Sequence, residues 1–247
     1  MAVRNSGRTR ARRSHSDGTR TKDGSPALDA SRRRELILER LARAYPGATT
    51  ALHHKNTFQL LISVILSAQT TDARVNMVTP ELFEKYPTPE ALAGAPRRNV
   101  ERIIKSLGFY HVKAKSIIGA ARVLAERFGG HVPKTMEELL EIPGVGRKTA
   151  NVVLAVAFGE SAIAVDTHVF RVANRLALAR ATTPAKMEQA LMKVVPKAHW
   201  GNVSQWLILH GRQVCHARNP QCAECILRDL CPSAKLFLKI SPGKKKD

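Results

Sequence analysis

Apolar side chains recur along most of this chain at the spacing of an α-helix. The clearest case is 57–69, TFQLLISVILSAQ, where Phe58, Leu61, Ile62, Ile65, Leu66 and Gln69 follow the pattern i, i+3, i+4, i+7, i+8, i+11. Similar patterns predict helices at 32–44, 72–85, 97–107, 112–128, 135–141, 147–158, 168–178, 185–194 and 203–215. Glycine and proline separate the segments, and the sequence has no alternating strand patterns joined by hairpin turns. The pattern predicts an all-α fold of about ten short helices.

The two ends of the chain differ from this helical body. Residues 1–30 are mostly Arg, Ser, Thr, Gly and Asp, so they cannot bury enough apolar surface to offset chain entropy. The segment 236–247 ends in SPGKKKD. We expect a disordered basic tail at 1–30 and a basic tail at 236–247. An organellar targeting role for the first tail is an open alternative.

The charge of the chain changes the picture of its partners. Its 247 residues include 40 Lys and Arg against 20 Asp and Glu, which gives a formal charge of +20. Ten of the basic residues and three of the acidic ones lie in 1–34, so the remainder still carries about +13. A soluble domain normally carries a net charge of about 2 to 8. The excess favours a nucleic-acid partner.

All four cysteines, Cys215, Cys222, Cys225 and Cys231, lie in one short segment. The sequence has no signal peptide and no run of about 18 apolar residues, so we expect a cytoplasmic protein without a membrane partner. In such a reducing compartment, clustered cysteines favour metal binding over disulfides. Their intervals of six, two and five residues contain one Cys-x-x-Cys step. The spacing alone leaves zinc and a 4Fe–4S cluster equally open.

The segment ELLEIPGVGRKTANVVLAVAF, 138–158, predicts a helix, a tight turn and a second helix. Gly144 and Gly146 permit the sharp reversal, and the free N–H groups that open the second helix can bind a phosphate. Lys148 falls in the first turn of that helix, where the helix dipole favours the uncharged, nucleophilic amine. Asp166 precedes another helix, where a cap and a catalytic carboxylate are compatible roles.

The segments LEIPGVGRKTANVVL and IAVDTHVFRV closely resemble the endonuclease III family of DNA base-excision glycosylases, and the similarity runs from about 31 to 235. It implies a bifunctional enzyme that removes oxidised pyrimidines from double-stranded DNA. The Lys148 amine would attack the anomeric carbon of the damaged nucleotide and expel the base. Strand cleavage by β-elimination would follow at the resulting abasic site, and Asp166 matches the family's catalytic aspartate.

The resemblance also implies an architecture and a cofactor. It predicts a two-lobed helix-hairpin-helix glycosylase, with a six-helix lobe at 50–160 that carries the hairpin at 136–155. An iron-sulfur lobe would comprise 31–49 and 161–235, and DNA would lie across the cleft of a monomer. The cysteine intervals match the family's iron-sulfur loop throughout. The four cysteines are therefore expected to hold a 4Fe–4S cluster, in a protein of the nucleoid or, in a eukaryote, of the nucleus or mitochondrion.

Further DNA contacts follow from the same resemblance. LSAQTTD is similar to the family's LSAQxTD, whose glutamine fills the position left by the extruded nucleotide, so Gln69 takes that role. In LGFYHVKAKSI, Phe109 stands where the family often has a leucine wedge, next to Tyr110, and Lys113 and Lys115 suit phosphate contacts. The other expected DNA-binding residues are Gly144, Val145, Gly146, Arg147, His168 and Arg218. A basic residue is common in the family where Asn219 stands here.

Alternative functions remain open. One is a monofunctional mismatch glycosylase of the same superfamily, which usually lacks the lysine. The adenine-mismatch type also carries a further domain, and only sixteen residues follow Cys231 here. Another is a non-enzymatic iron-sulfur DNA-binding regulator, with the hairpin on phosphates and the cluster as a switch. Lys148 favours the bifunctional enzyme.

Overall fold

The computed structural model describes residues 29–160 and 162–240, and the regular elements within those residues are all helical. A short 3-10 helix, Lys197–His199, precedes the eleventh α-helix. In chain order the α-helices are α1 (Ala30–Ala44), α2 (Thr57–Leu66), α3 (Asp72–Lys85), α4 (Pro89–Ala93), α5 (Arg97–Ile103), α6 (Tyr110–Arg127), α7 (Met136–Leu140), α8 (Arg147–Phe158), α9 (Thr167–Leu176), α10 (Pro184–Val194), α11 (Trp200–Gln213) and α12 (Ala234–Ile240). The predicted all-α class is confirmed. Most of the predicted tail at 1–30 lies outside the described residues.

Polar side chains fix the starts of many of these helices. Each accepts a hydrogen bond from a backbone N–H in the first turn of its helix, which is otherwise without a partner. These N-caps are Asp29, Asn56, Thr71, Thr88, Thr135, Asp166 and Thr183. A cap of this kind contributes about 1 kcal/mol. The caps explain why these short helices begin where they do.

Several helices differ from the sequence prediction in their bounds, and two others were not predicted. Helix α2 ends at Leu66 rather than at Gln69, because the Ser67 hydroxyl donates to the Val64 carbonyl at 2.8 Å and the chain turns there. Helix α4 forms in a segment that the prolines appeared to exclude, because a proline at the first helical position lacks only an N–H that needs no partner. Helix α12 extends past residue 235, where the sequence predicts a tail.

Buried apolar side chains form two separate clusters. The first surrounds α2, whose residues 58 and 60–66 are all buried, and α3, α6 and α8 pack around it. A helix that is buried on every side belongs at the centre of its lobe. The second cluster joins α1, α9, α10 and α11 with the segment that carries the cysteines. We refer to α2–α8 as the first lobe and to α1 with α9–α12 as the second lobe.

The segment that crosses from the first lobe to the second is held by buried hydrogen bonds. The Asn151 side chain on α8 donates to the Ile163 carbonyl at 3.1 Å. The Ala164 N–H donates to the Ser204 hydroxyl on α11 at 3.0 Å. Because these bonds anchor the crossing on both sides, the start of α9 has a fixed position relative to α8.

Candidate active site

A cavity of about 170 Å³ lies between the two lobes, and Lys148 and Asp166 both line it. The first lobe contributes Val64 on α2 and Thr149 on α8, and the second lobe contributes Arg212 on α11. The family resemblance predicts that DNA lies across a cleft, with Lys148 and Asp166 as catalytic residues. The structure places both at one cavity between the lobes.

Lys148 owes its position to the glycine turn before α8. Gly144 has a φ of +83°, and a Cβ at that position would lie 3.0 Å from side-chain carbons of Ile65 and Ser116. Only glycine combines that backbone conformation with so close an approach. Gly146 is the N-cap of α8 and offers no side-chain cap, so the N–H groups of the first turn have no side-chain acceptor from the cap, beside the exposed Lys148.

The two glycines of the hairpin are exposed, whereas Val145 supports the turn from inside. The Val145 side chain is 8% exposed and packs in the first cluster. Its N–H donates to the Ile142 carbonyl at 3.0 Å. The contact of Val145 with DNA stays a prediction. In the structure its side chain and N–H are used within the turn, because the reversal needs an apolar anchor and a closing hydrogen bond.

Arg147, also predicted to contact DNA, extends toward the second lobe. Its guanidinium donates to both carboxylate oxygens of Glu188 on α10, at 2.8 to 3.2 Å. The Glu188 side chain is only 6% exposed. Its hydrogen bond to Arg147 raises the pKa of that guanidinium. A buried carboxylate requires a paired cation, so the Arg147 guanidinium joins the lobes while much of its side chain stays exposed.

Asp166 caps α9 and lines the cavity at the same time. Its Oδ1 accepts from the Val169 N–H at 2.8 Å, which fixes the half-buried carboxylate at the cavity wall. His168 follows it and lies 3.1 Å, through Nδ1, from the Arg171 guanidinium. Burial lowers the pKa of His168, and the Asp166 charge opposes that shift. The His168 side chain is half-buried in the first turn of the same helix.

The two side chains predicted to enter the duplex lie on exposed turns. Gln69 follows α2 and has a φ of +54°, and Phe109 precedes α6 and has a φ of +58°. The Phe109 side chain is 68% exposed, which is unusual for a large apolar group. Tyr110 is half-buried, and its ring centroid lies 4.0 Å from that of His111. Gln69 lines the same surface depression as His168 and Arg212, close to the cavity.

The four cysteines surround a small cavity in the second lobe, and none of the four forms a disulfide. Within the described residues, no three His, Cys, Asp or Glu side chains converge as the ligands of a single ion do. Nitrogen donors approach the sulfurs: Leu227 N lies 3.4 Å from Cys225 Sγ, and Arg175 Nη1 lies 3.5 Å from Cys215 Sγ. Such donors stabilise thiolates. Four thiols around a shared space, with donors to sulfur, fit an iron-sulfur cluster.

Two arginines of α9 fix the chain around Cys215. Arg171 donates to the Cys215 carbonyl, and Arg175 donates to the His216 carbonyl at 2.6 Å and the Ala217 carbonyl at 2.9 Å. Arg218 follows on the exposed surface, and Asn219 has a φ of +50°. The loop between the first two cysteines is therefore tied to α9, with Arg218 outside.

Among the residues near this surface, sequence reasoning missed Asp72 and assigned Lys113 to a phosphate contact. Asp72 lines the cavity and forms an ion pair of 2.9 Å with Arg212, which connects the lobes. Lys113, expected to contact phosphate, is 5% exposed and donates to the Thr70 hydroxyl. The sequence carries a signal for Lys113, because it shares a helical stripe with Ile117, Ala120 and Leu124, which are fully buried. Nothing in the sequence pairs Asp72 with Arg212.

Comparisons with known proteins agree with this site. Residues 62–197 match the family model of the HhH-GPD superfamily base excision DNA repair proteins, and residues 215–231 match the iron-sulfur binding domain of endonuclease III. Endonuclease III of Synechocystis sp. is 55% identical over 201 residues, which are 81% of this chain and 90% of that protein. The Escherichia coli protein is 47% identical over 195 residues, 79% and 92% of the two chains. The chain belongs to the endonuclease III family.

Solved structures of endonuclease III have the same fold. The match to the protein chain of a non-covalent endonuclease III–DNA complex has a TM-score of 0.81 and 44% sequence identity. It covers 85% of this chain and 98% of the chain in the complex. A trapped endonuclease III–DNA covalent intermediate has a TM-score of 0.79 and 45% identity, with 83% and 98% covered. The predicted glycosylase fold is thereby confirmed.

This member of the endonuclease III family is a base-excision-repair DNA glycosylase and AP lyase that binds DNA and carries a 4Fe–4S cluster. Among the described helices, none is long and apolar enough to cross a membrane.

Proposed function

We propose that this enzyme excises oxidised pyrimidines from double-stranded DNA, with Lys148 as the nucleophile and Asp166 as its carboxylate partner. The observation that carries the proposal is that both side chains line one cavity between the lobes. A glycosylase must bring an extruded nucleotide between a nucleophile and a group that stabilises positive charge on the sugar. The cavity offers both groups to one sugar.

The chemistry assigns one step to each group. The Lys148 amine forms a bond to the anomeric carbon as the bond to the base breaks, and the base leaves with a proton. The Asp166 carboxylate stabilises the positive charge that develops on the sugar. Opening of the C1′–O4′ bond of the sugar, with transfer of a proton from the nitrogen to O4′, converts this adduct into an imine, which acidifies the neighbouring sugar carbon. Loss of that proton with departure of the 3′ phosphate cleaves the strand, and hydrolysis of the imine releases the enzyme.

DNA binding is assigned to three exposed features. The N–H groups of the hairpin turn at Gly144 and Gly146 and of the first turn of α8 bind a phosphate at the positive end of that helix. Gln69 fills the vacated position, because an amide has donors and an acceptor for any orphaned base. The exposed Phe109 ring wedges or stacks beside it.

The cluster region has a separate role. We infer that Cys215, Cys222, Cys225 and Cys231 are the cluster ligands, and that the bound cluster fixes the loop carrying Arg218 against the phosphate backbone. The cluster supplies a rigid cross-link of the four thiolates. The monomeric state and a location at the nucleoid are further predictions of the same function.

The test is a comparison of Lys148→Gln with Lys193→Gln, because Lys193 is an exposed lysine on α10 away from the cavity. We expect Lys148→Gln to bind abasic duplex DNA but to form no covalent adduct with it under borohydride, while Lys193→Gln forms the adduct normally. An adduct that persists in Lys148→Gln would refute the assignment.

Duplexes that each hold one oxidised pyrimidine, one oxidised purine or one thymine–guanine mismatch test the substrate class. Preferential excision of the pyrimidines supports the proposal. Preference for the mismatch favours the monofunctional alternative. Binding to DNA without excision or cleavage of any duplex favours the regulator.

A further inference from the structure

Lys113 on α6 has an unusual environment for a lysine. It is 5% exposed and lies on the same face of α6 as the fully buried Ile117 and Leu124. Within the described residues, no carboxylate lies within ion-pair distance of its amine, and burial lowers the pKa of that amine. Burying an amine without an opposite charge is unfavourable. A methionine of similar length would fill the space more favourably, so the amine calls for a reason other than packing.

The amine is bonded to the turn that presents Gln69. Lys113 Nζ donates to the Thr70 hydroxyl, and that hydroxyl donates onward to the Ala68 carbonyl at 3.4 Å. Ala68 and Thr70 flank Gln69, whose φ is +54°. The Lys113 amine therefore fixes the turn on both sides of Gln69, through one hydroxyl.

The main chain of Lys113 is bonded to the other exposed turn. Its N–H donates to the Phe109 carbonyl at 3.0 Å and closes the first turn of α6. Phe109 has a φ of +58°, a left-handed conformation that is unfavourable for a residue other than glycine. This bond therefore stabilises the unfavourable conformation of Phe109. One residue thus contacts both turns: its backbone binds Phe109 itself, and its side chain binds the residue next to Gln69.

We propose that Lys113 is a positioning residue that keeps Gln69 and Phe109 at a fixed separation, so that both side chains enter the duplex together when a nucleotide is extruded. The inference rests on the proposed function, which assigns these two side chains to the DNA. A preorganised pair avoids ordering each turn separately at the moment of insertion. The role of Lys113 is indirect, since its buried amine has no access to DNA.

The experiment uses the full-length, cluster-loaded protein with Lys113→Met, Thr70→Val and the double variant. Two rates are measured: single-turnover excision of an oxidised pyrimidine from a duplex, and β-elimination at an abasic site in single-stranded DNA. Single-stranded DNA has no vacated position to fill. We expect at least a tenfold slower excision from the duplex in each variant, no further loss in the double variant, and an unchanged rate on the single strand.

Two further measurements separate positioning from folding. The midpoint of thermal unfolding of Lys113→Met should be unchanged or higher, because the substitution removes a buried amine. The fluorescence of 2-aminopurine placed opposite the lesion should change more slowly in Lys113→Met, because insertion of the two side chains is no longer concerted. Lys193→Met, which removes an exposed lysine, should resemble the unmodified protein in every measurement.

Several outcomes would overturn the inference. These are an unchanged duplex rate in Lys113→Met, additive losses in the double variant, or equal losses on both substrates with a lower unfolding temperature. Gln69→Ala and Phe109→Ala distinguish this failure from that of the proposed function. If those variants excise normally from duplex DNA, the proposed roles of the two side chains are wrong. If they are slow while Lys113→Met is normal, only the positioning role is refuted.

Discussion

The ion pair between Arg147 and Glu188 gives a prediction that separates two roles for one arginine. The hairpin sequence predicts that Arg147 contacts DNA, whereas the structure directs its guanidinium to the carboxylate of Glu188, whose side chain is 6% exposed. The substitution Arg147→Met removes the guanidinium and retains much of the aliphatic chain. It leaves the Glu188 carboxylate buried without its cation.

The expected size of the effect follows from the exposure of the two partners. Breaking a fully buried ion pair by removing one partner costs about 3–5 kcal/mol, and an exposed pair contributes about 0–1 kcal/mol. The Arg147 side chain is 55% exposed, so water screens the pair from one side. We therefore expect a loss of about 2 kcal/mol in unfolding free energy, between those limits. For a domain of this size, that lowers the unfolding temperature by about 4–8 °C.

The assay combines thermal unfolding with the salt dependence of DNA binding. Each phosphate contact contributes a slope of about −0.9 to the plot of log affinity against log salt concentration. We expect Arg147→Met to keep the slope of the unmodified protein and to unfold earlier. Arg218→Met, which removes an exposed arginine of the cysteine loop, should reduce the slope by about 0.9 and unfold normally. The double variant Arg147→Met with Glu188→Met should recover most of the lost stability, because it leaves no unpaired charge.

One result would refute this reasoning. If Arg147→Met reduced the salt slope by one phosphate contact and unfolded at the normal temperature, Arg147 would be a DNA contact. The ion pair seen in the structure would then contribute nothing to stability.

Three further predictions concern the catalytic carboxylate, the hairpin and the cysteines. Asp166→Asn should keep the cap on α9, and hence the unfolding temperature within about 2 °C, while single-turnover excision falls at least a hundredfold; Asp166→Ala should also lose about 1 kcal/mol of stability. Gly144→Ala should lose about 2–4 kcal/mol in urea unfolding, because the added Cβ combines positive φ with contacts at 3.0 Å, whereas Gly159→Ala, with positive φ and open space, should lose less. Cys225→Ser should reduce the iron content and the visible absorbance of the purified protein and weaken its binding to abasic duplex DNA.

Helix positions were predictable wherever apolar spacing and a cap coincided. The predicted segments 72–85 and 147–158 match α3 and α8, since each begins after a polar or glycine residue and ends near a turn. The prediction failed at the end of α2. This helix is apolar on every side up to Leu66, so its composition does not mark one buried face. The apolar spacing along one face predicted a helix as far as Gln69, whereas the helix ends at the hydrogen bond of Ser67.

The site was predictable where a short motif specifies it and not where distant residues complete it. Lys148 and the glycines belong to one hairpin, so a single segment indicates them. Asp166 is placed at the same cavity by the crossing segment, whose anchors, Asn151 and Ser204, form bonds that no local pattern encodes. The partners Glu188 and Thr70 were missed for the same reason, because a hydrogen bond between remote segments is fixed by packing alone.

Backbone conformation is the feature that the sequence conceals most at this surface. Within residues 29–160 and 162–240, four non-glycine residues have positive φ, and three of them are Gln69, Phe109 and Asn219, each in an exposed turn assigned to DNA contact. Ala177 differs from these, since it ends α9 in the left-handed conformation common after a helix. A non-glycine residue in this region costs about 1–3 kcal/mol, so each turn must be held by bonds from rigid neighbours. Lys113 on α6 supplies these bonds at the turns of Gln69 and Phe109, through Thr70 in the first case. Arg175 on α9 supplies them at the turn of Asn219. The unfavourable backbone conformations persist because each of these short turns is hydrogen-bonded to a helix of one of the two packed lobes.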